Sequence, residues 1–483
     1  MIGITGFGAY VPRLRLTRQQ IADGQPGGAR GKTIAGERAI CNWDEDAITL
    51  AVEAARDCLQ ERNCLTGITL ASTTAPFADR QNAGIVAAAL DLDEDLQSMD
   101  VGGAQRAGTT ALITALRSGC EGGERLVVAS EHRVTRAGAP HEVRFGDGAA
   151  ALSIGATDVI AELRAAETRT VDFVDHFRAA DAAQDYYWEE RWIRDEGVMK
   201  IVPPVVEAAL AQADMAAGDI DHVILPSPVP GVGARLAAQL EFQEAALAET
   251  FDKTIGDTGA AHPLLRLAAV LSRARAGEKI LLAAFGQGTD VLILETTAAI
   301  GTRQPRLGVT GALAQRRPIS DYAKYLSFAG LIDRELGMRA EGDNKTALTQ
   351  LYRRRDLILG LVGGECEKCG TRQLPRSRYC VNPKCNALDT QKPFAFADVP
   401  ARVLTWSADH LSFTPDPPSY YGLIAFEGGG RMFANFAEVD AGAVDVGSVM
   451  RMAFRVKEHD RKRNFRRYFW KAVPDGGSQG KEQ

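Results

Sequence analysis

No run of eighteen apolar residues occurs in the 483-residue chain, so no segment reads as a membrane span. An excess of positive charge is also missing. The 56 Lys and Arg against 62 Asp and Glu leave a net charge of −6, which argues against a generally basic nucleic-acid binder but not against a local basic patch. The opening residues MIGITGFGAYVPRLRL alternate like a strand and lack the apolar stretch of a secretory signal, so a cytoplasmic location is expected. Cysteine is sparse over most of the chain. Cys41, Cys58, Cys64 and Cys120 are scattered, none has a His beside it in sequence, and they read as inert thiols. What is present in quantity, 45% hydrophobic and 24% charged residues, is typical of a soluble globular protein, and the length predicts two or three domains.

The first three hundred residues contain an internal echo. GERLVVAS at 123–130 matches GEKILLAA at 277–284, each a short apolar strand entered through a Gly-led turn. Each is followed by a glycine turn and a second apolar run, GDGAAALSIG at 146–155 and GQGTDVLILE at 286–295. The turns DVGGAQ at 100–105 and TIGDTGA at 254–260 precede helices rich in small residues and correspond in the same order. Buried strands alternating with helices predict parallel sheets covered on both faces, and two similar halves predict a duplicated α/β domain with a crevice where they meet. Further on, DYAKYLSFAGLIDRELG has helical spacing, with Tyr322, Tyr325, Leu326 and Leu331 on one apolar face. Short alternating segments over 398–472 read as a small antiparallel barrel.

The remaining cysteines crowd together. CEKCGTRQLPRSRYCVNPKC presents Cys366 and Cys369, then Cys380 and Cys385, as C-x2-C, ten residues, C-x4-C. Two such knuckles can surround one tetrahedral ion with four thiolates, and soft sulfur ligands select zinc. With every position filled by Cys, the site reads as structural.

The stretches ITGFGAYVPRLRL, NWDEDAITLAVEAARDCL, RFGDGAAALSIG and IGDTGAAHPLLRLAAVL resemble the 3-hydroxy-3-methylglutaryl-CoA synthase branch of the thiolase superfamily. The knuckles, TPDPPSYYGLIAFEGGGRMF and DVGSVMRMAF resemble the zinc-ribbon/OB-fold proteins that accompany thiolases and acyl-CoA enzymes. The resemblance implies an α/β duplicated thiolase-like fold over 1–305, a linker and helical segment over 306–365, a zinc ribbon over 366–390, an all-β OB barrel over 391–475 and a disordered tail over 476–483. It also implies an acyl-CoA ligand, a homodimer formed through the α/β domain, and a thiolase partner.

The family's catalytic residues are not where the resemblance implies them. Its nucleophilic Cys falls on Gln105, its acid/base Glu on Thr73, its His on Pro226 and the Asn of its glycine turn on Asp257. An amide cannot attack a thioester, so acyl transfer through Gln105 is excluded. Two readings remain. In one, the crevice performs aldol, retro-aldol or decarboxylation chemistry on acyl-CoA without an acyl-enzyme. Gln105 then stabilises an oxyanion, and Asp257 with His262 serves as base and orienter. In the other, the chain is a non-catalytic scaffold of a thiolase complex. His262 packing or capping its own helix is the plainer account of that residue. The loop EHRVTRAGAPHEVR, with His132, Arg133, Arg136, His141 and Arg144, reads as a solvated surface loop, with CoA phosphates as the other occupant weighed. KEHDRKRNFRRYFWKAV interleaves basic and aromatic residues. CoA or a protein interface is expected there ahead of single-stranded nucleic acid.

Overall fold

The computed structural model describes residues 2–25, 33–59, 65–119 and 123–475. Cys64, Cys120 and the tail 476–483 therefore lie outside the described residues. The chain forms two compact units, one comprising 1–42, 46–84 and 93–332, the other 43–45, 85–92 and 333–483. Among the described residues, no helix is long and apolar enough to cross a membrane.

The first unit is built on a nine-stranded sheet. Its strands are β1 (Gly3–Tyr10), β2 (Leu65–Ala71), β3 (Gln97–Val101), β4 (Glu124–Glu131), β5 (Gly148–Gly155), β6 (Ala161–Thr170), β7 (His222–Ile224), β8 (Lys279–Phe285) and β9 (Gly288–Thr296). Their order across the sheet is β7-β8-β9-β6-β1-β5-β4-β2-β3. The internal echo has a structural counterpart: β2 runs parallel to β4, which turns back on β5, and β7 runs parallel to β8, which turns back on β9.

The expected parallel sheet is thus corrected to a mixed one. Only two residues, Gly286 and Gln287, separate β8 from β9, and a loop that short can only reverse the chain. Between β4 and β5 the chain makes a single short 3-10 turn, Pro140–Val143, rather than a crossover helix.

Helix α1 (Ala47–Cys58) is buried along its whole length. Its N-cap Asp46 accepts from Ile48 N and Thr49 N, and Thr49 Oγ1 accepts from Asp46 N, a reciprocal cap worth about 1 kcal/mol. Two helices with small-residue faces, α2 (Ala107–Ser118) and α3 (His262–Leu271), share one core with the sheet. Gly108 makes their approach possible, since a Cβ there would lie 2.4 Å from Ala260 O. The loops entering α2 and α3 carry Gln105 and Asp257, so the two halves contribute one candidate residue each. The helical segment predicted around 322 forms Tyr322–Phe328, and Tyr325 packs with Leu14, Leu16, Ile21 and Ile40.

In the second unit, strands Val362–Cys366, Arg372–Gln373 and Gln391–Ala395 form a small sheet that carries the cysteine knuckles. Beyond it lies an antiparallel sheet of β10 (Ala401–Asp409), β11 (Ser419–Phe426), β12 (Arg431–Asn435), β13 (Val449–Asp460) and β14 (Phe465–Pro474), ordered β12-β11-β10-β13-β14. A bridge from Phe436 to Ala472 brings its first and last strands together. In the basic and aromatic segment Tyr468 and Trp470 are buried, stacked or edge-on against Phe454, and Trp470 Nε1 donates to Leu359 O at 2.5 Å. Those two rings are barrel core and cannot stack on a base.

Candidate functional site

The residue before α2 is pinned by the opposite half of the sheet. Arg106 donates to Gly286 O at 3.0 Å and to Asp290 Oδ1 at 2.8 Å, and Asp290 also accepts from Thr109 and Thr110 in the first turn of the helix. Gln105 is therefore held at the entrance to α2. Its Nε2 lies 3.3 Å from His176 Nε2, and its Oε1 is buried without a partner. Space for that oxygen depends on Gly259, whose φ is +55° and whose added Cβ would stand 2.5 Å from it.

His176 lies on a short hairpin formed by His176–Phe177 and Tyr186–Tyr187. Its Nδ1 stands 3.0 Å from Asp175 Oδ1. That Asp175 oxygen accepts from the His176 backbone N–H at 2.9 Å, and the ring Nδ1 makes no aligned hydrogen bond among the described residues. The Gln105 amide N–H can donate to Nε2 when the ring carries its proton on Nδ1.

The hairpin is stacked into place. Tyr187 packs against His176 on one side (ring centroids 4.9 Å) and against His141 on the other (3.8 Å). Its hydroxyl accepts from Arg133 Nη2 at 2.7 Å, and Arg133 Nη1 meets Asp257 Oδ2 at 3.0 Å while its guanidinium lies over the Phe145 ring. Asp185 binds Arg178 at 2.6 Å, and Arg178 donates to Thr73 O. The expectation of a solvated loop over 131–144 is corrected here. Arg133 is 4% exposed, His132, His141 and Arg144 are half-buried, and only Arg136 of the five reaches solvent freely.

Burial alone would raise the Asp257 carboxyl, but Arg133 and then His262 hold it below its ordinary value. Burial likewise disfavours a charged Arg133, yet Tyr187, Asp257 and Asp185 keep it protonated. For His141 burial, then Arg144 and Arg133, push the imidazole down to about 4, so the ring stacked on Tyr187 is neutral.

The sequence candidates separate in space. Gln105 and Asp257 both border Gly259, whose amide donates to Asp257 Oδ1 at 2.8 Å. Thr73 sits on a carboxylate: its N and Oγ1 donate to Glu131 at 2.7 and 2.9 Å, and Thr74 Oγ1 donates to the other oxygen. Burial drives the Glu131 carboxyl above its usual range, against those donors. His262 turns to its own helix entrance, with Nδ1 facing Thr258 N at 3.3 Å and Oγ1 at 3.4 Å, and burial keeps it neutral. Asp257 turns its carboxylate oxygens to Arg133 and to the Gly259 amide, away from a hydrogen bond with His262. The imidazoles stacked on Tyr187 are His141 and His176, neither of them at the aligned Pro226. His176, Asp175, Tyr187 and Glu131 escape the sequence reading. The available signal was the Asp-His pair in VDHF and the aromatic-acidic run QDYYWEE, both in a segment with no periodic pattern.

The four cysteines of the second unit converge as their spacing predicts. Cys366 and Cys385 Sγ are 3.9 Å apart and Cys369 and Cys380 Sγ 3.5 Å, and all four sulfurs lie within 4.8 Å of one another. A tetrahedral zinc with bonds of about 2.3 Å would place its sulfurs about 3.8 Å apart, so the four-cysteine cluster fits that ion. Gly370, at φ +69°, closes the first knuckle, its amide donating to Cys366 O at 2.7 Å.

Comparison with known proteins agrees with this architecture. Residues 397–455 match the family described as ChsH2, C-terminal OB-fold domain, and residues 210–294 match the 3-oxoacyl-[acyl-carrier-protein] synthase III C-terminal family. The hydroxymethylglutaryl-CoA synthase of Archaeoglobus fulgidus is 30% identical over 343 residues, covering 68% of this chain and 98% of its own. That of Caldivirga maquilingensis is 28% identical over 345 residues, covering 68% and 98%. Among solved structures, an HMG-CoA synthase complexed with CoA superposes with a TM-score of 0.61 at 18% identity, over 71% of this chain and 94% of that one. The 3-oxoacyl-(acyl carrier protein) synthase III of Pseudomonas aeruginosa gives 0.54 at 22%, over 61% and 98%. A thiolase-like α/β unit with Gln105 at the head of its central helix, continued by a cysteine-bearing segment and an OB barrel, thus places this chain in the hydroxymethylglutaryl-CoA synthase family, extended by a ChsH2-type OB-fold domain.

Proposed function

We propose that the chain forms or cleaves a carbon–carbon bond in acyl-CoA thioesters without a cysteine nucleophile, as a cytoplasmic protein working with a thiolase. The observation that carries this reading is the placement of His176 Nε2 3.3 Å from the Gln105 amide, with Asp175 beside the other ring nitrogen. In the cleavage direction, His176 Nε2 accepts the proton of a 3-hydroxyacyl group. The bond between the α and β carbons breaks, a carbonyl compound leaves, and the thioester is left as its enolate. Gln105 donates an N–H to the enolate oxygen, as an oxyanion hole does, and the imidazolium returns its proton to the α carbon. Condensation is the reverse. Asp175 positions the imidazole, and Arg133 with Asp257 fixes the hairpin through Tyr187. No step needs a thiolate.

Support for a partner comes from the ChsH2-type barrel and from the resemblance to ribbon proteins that accompany thiolases. The ribbon then holds structural zinc, and the α/β unit pairs with a second copy of itself. A second reading, a non-catalytic scaffold, is favoured by one feature: Arg133, Asp257, Tyr187, Asp185 and Arg178 satisfy one another within the fold. Co-expression with a thiolase encoded nearby, followed by purification and assay with 3-hydroxyacyl-CoA, separates the two. Turnover that His176→Gln abolishes without releasing the thiolase supports catalysis. A complex whose activity is indifferent to His176→Gln makes this chain the scaffold.

A further inference from the structure

Cys41 reads from the sequence as an inert thiol, yet the fold sets it beside His132 and Asp147. Cys41 follows the short strand Glu37–Ile40, His132 follows β4, and Asp147 precedes β5. One sulfur, one imidazole nitrogen and one carboxylate oxygen lie within 4.8 Å of one another. Cys41 and Asp147 are buried, and His132 keeps part of one edge open. The main chain fixes each of them. Cys41 N donates to Asp147 Oδ2 and Arg133 N to Oδ1, both at 2.7 Å, while Asp147 N donates to Ala39 O and His132 N to Thr74 Oγ1. The three residues are thus preorganised by main-chain contacts, one of which, from Cys41 N, falls on Asp147 Oδ2 itself.

His132 Nδ1 stands 3.2 Å from Asp147 Oδ2, is closed to solvent, and makes no aligned hydrogen bond. Two ligands of a tetrahedral zinc ion show such a spacing, because Zn–N and Zn–O bonds of about 2.0–2.1 Å put the two atoms about 3.3 Å apart. Each Asp147 oxygen accepts one amide and retains a further lone pair. A thiolate and a carboxylate together balance a divalent charge, which removes the penalty of burying either anion alone.

We propose that Cys41, His132 and Asp147 bind a borderline divalent cation, with Zn2+ the best match to one sulfur, one nitrogen and one oxygen, and water completing the tetrahedron at the open edge of His132. The site is separate from the four-cysteine cluster. It ties the segment carrying Glu131 and Arg133 to the strand Glu37–Ile40 from behind the crevice.

The test is metal content of the full-length protein, stripped by chelator, reloaded with Zn2+ and passed through gel filtration before elemental analysis. The wild type is expected to hold two equivalents per chain, and His132→Gln and Cys41→Ser one each. A wild type that saturates at one equivalent or fewer overturns the proposal, as does a His132→Gln variant that keeps two. Loading with Co2+ gives a second readout if Cys41→Ser fails to fold. The wild-type spectrum should contain a thiolate charge-transfer contribution that His132→Gln weakens while the four-thiolate spectrum persists, and an unchanged spectrum counts against the site.

Discussion

At residue 105 the amide Nε2 stands 3.3 Å from His176 Nε2, the base of the proposed mechanism, which sits on a different element. Replacing His176 by Gln retains a polar contact to Gln105 but removes the lone pair that takes a proton. We expect kcat to fall about 10²-fold or more, with KM changed only a few-fold, in steady-state assays of the complex. Gly259 bears on the same atom from the other side. Its positive φ and the 2.5 Å gap to Gln105 Oε1 mean that Gly259→Ala should cost about 1–3 kcal/mol in a denaturant titration, with activity falling further as Gln105 shifts. Neither effect is visible in the local sequence. Gln105 is legible from the glycine turn before its helix, but its partner is 71 positions away in a segment without periodicity.

Among elements, the hairpin from His176 to Tyr187 depends on the loop 131–145, with His141 as the stacking partner. That ring must stay neutral between Arg144 and Arg133. Its folded value of about 4 lies below the ordinary 6.5, so the unfolded chain binds more protons at pH values between the two. The contribution of His141 to stability is complete above pH 6.5 and is lost progressively as the pH falls toward 4. His141→Phe keeps a ring without a titrating group. The melting temperature of that variant should fall less steeply than wild type across this window. The loop was misread as solvated because its charges are visible in sequence, whereas the aromatic faces and carboxylates that neutralise them arrive from 173–190 and 257.

For the whole molecule, the legible parts are those encoded within short spans. The cysteine spacing and the two Gly-led strand pairs are local patterns, and each reappears in the fold as a knuckle or a hairpin. Cys369→Ser should remove one zinc equivalent per chain. With zinc in the proposed structural role, where such an ion supplies about 10–16 kcal/mol to small zinc-dependent folds, its loss should let trypsin cleave more readily at Lys368, Arg376 and Lys384, as measured by mass spectrometry of the digest. The family's mixed sheet was missed for a physical reason as well. Apolar strand composition reports burial on both faces, and burial alone does not reveal the direction of a neighbour; connection length does.

The sequence alone determined the class of the two units, the four-cysteine cluster and the amide at position 105, because each depends on residue type at fixed short spacing. Only the tertiary structure decided which groups share the crevice. It set Asp257 against Arg133 and Gly259 and turned His262 to Thr258, and it brought His176 to Gln105, the contact on which the proposed chemistry rests. It also gathered Cys41, His132 and Asp147 from three loops. Contacts between residues so distant along the chain are set by how strands and helices pack, and no local pattern encodes them.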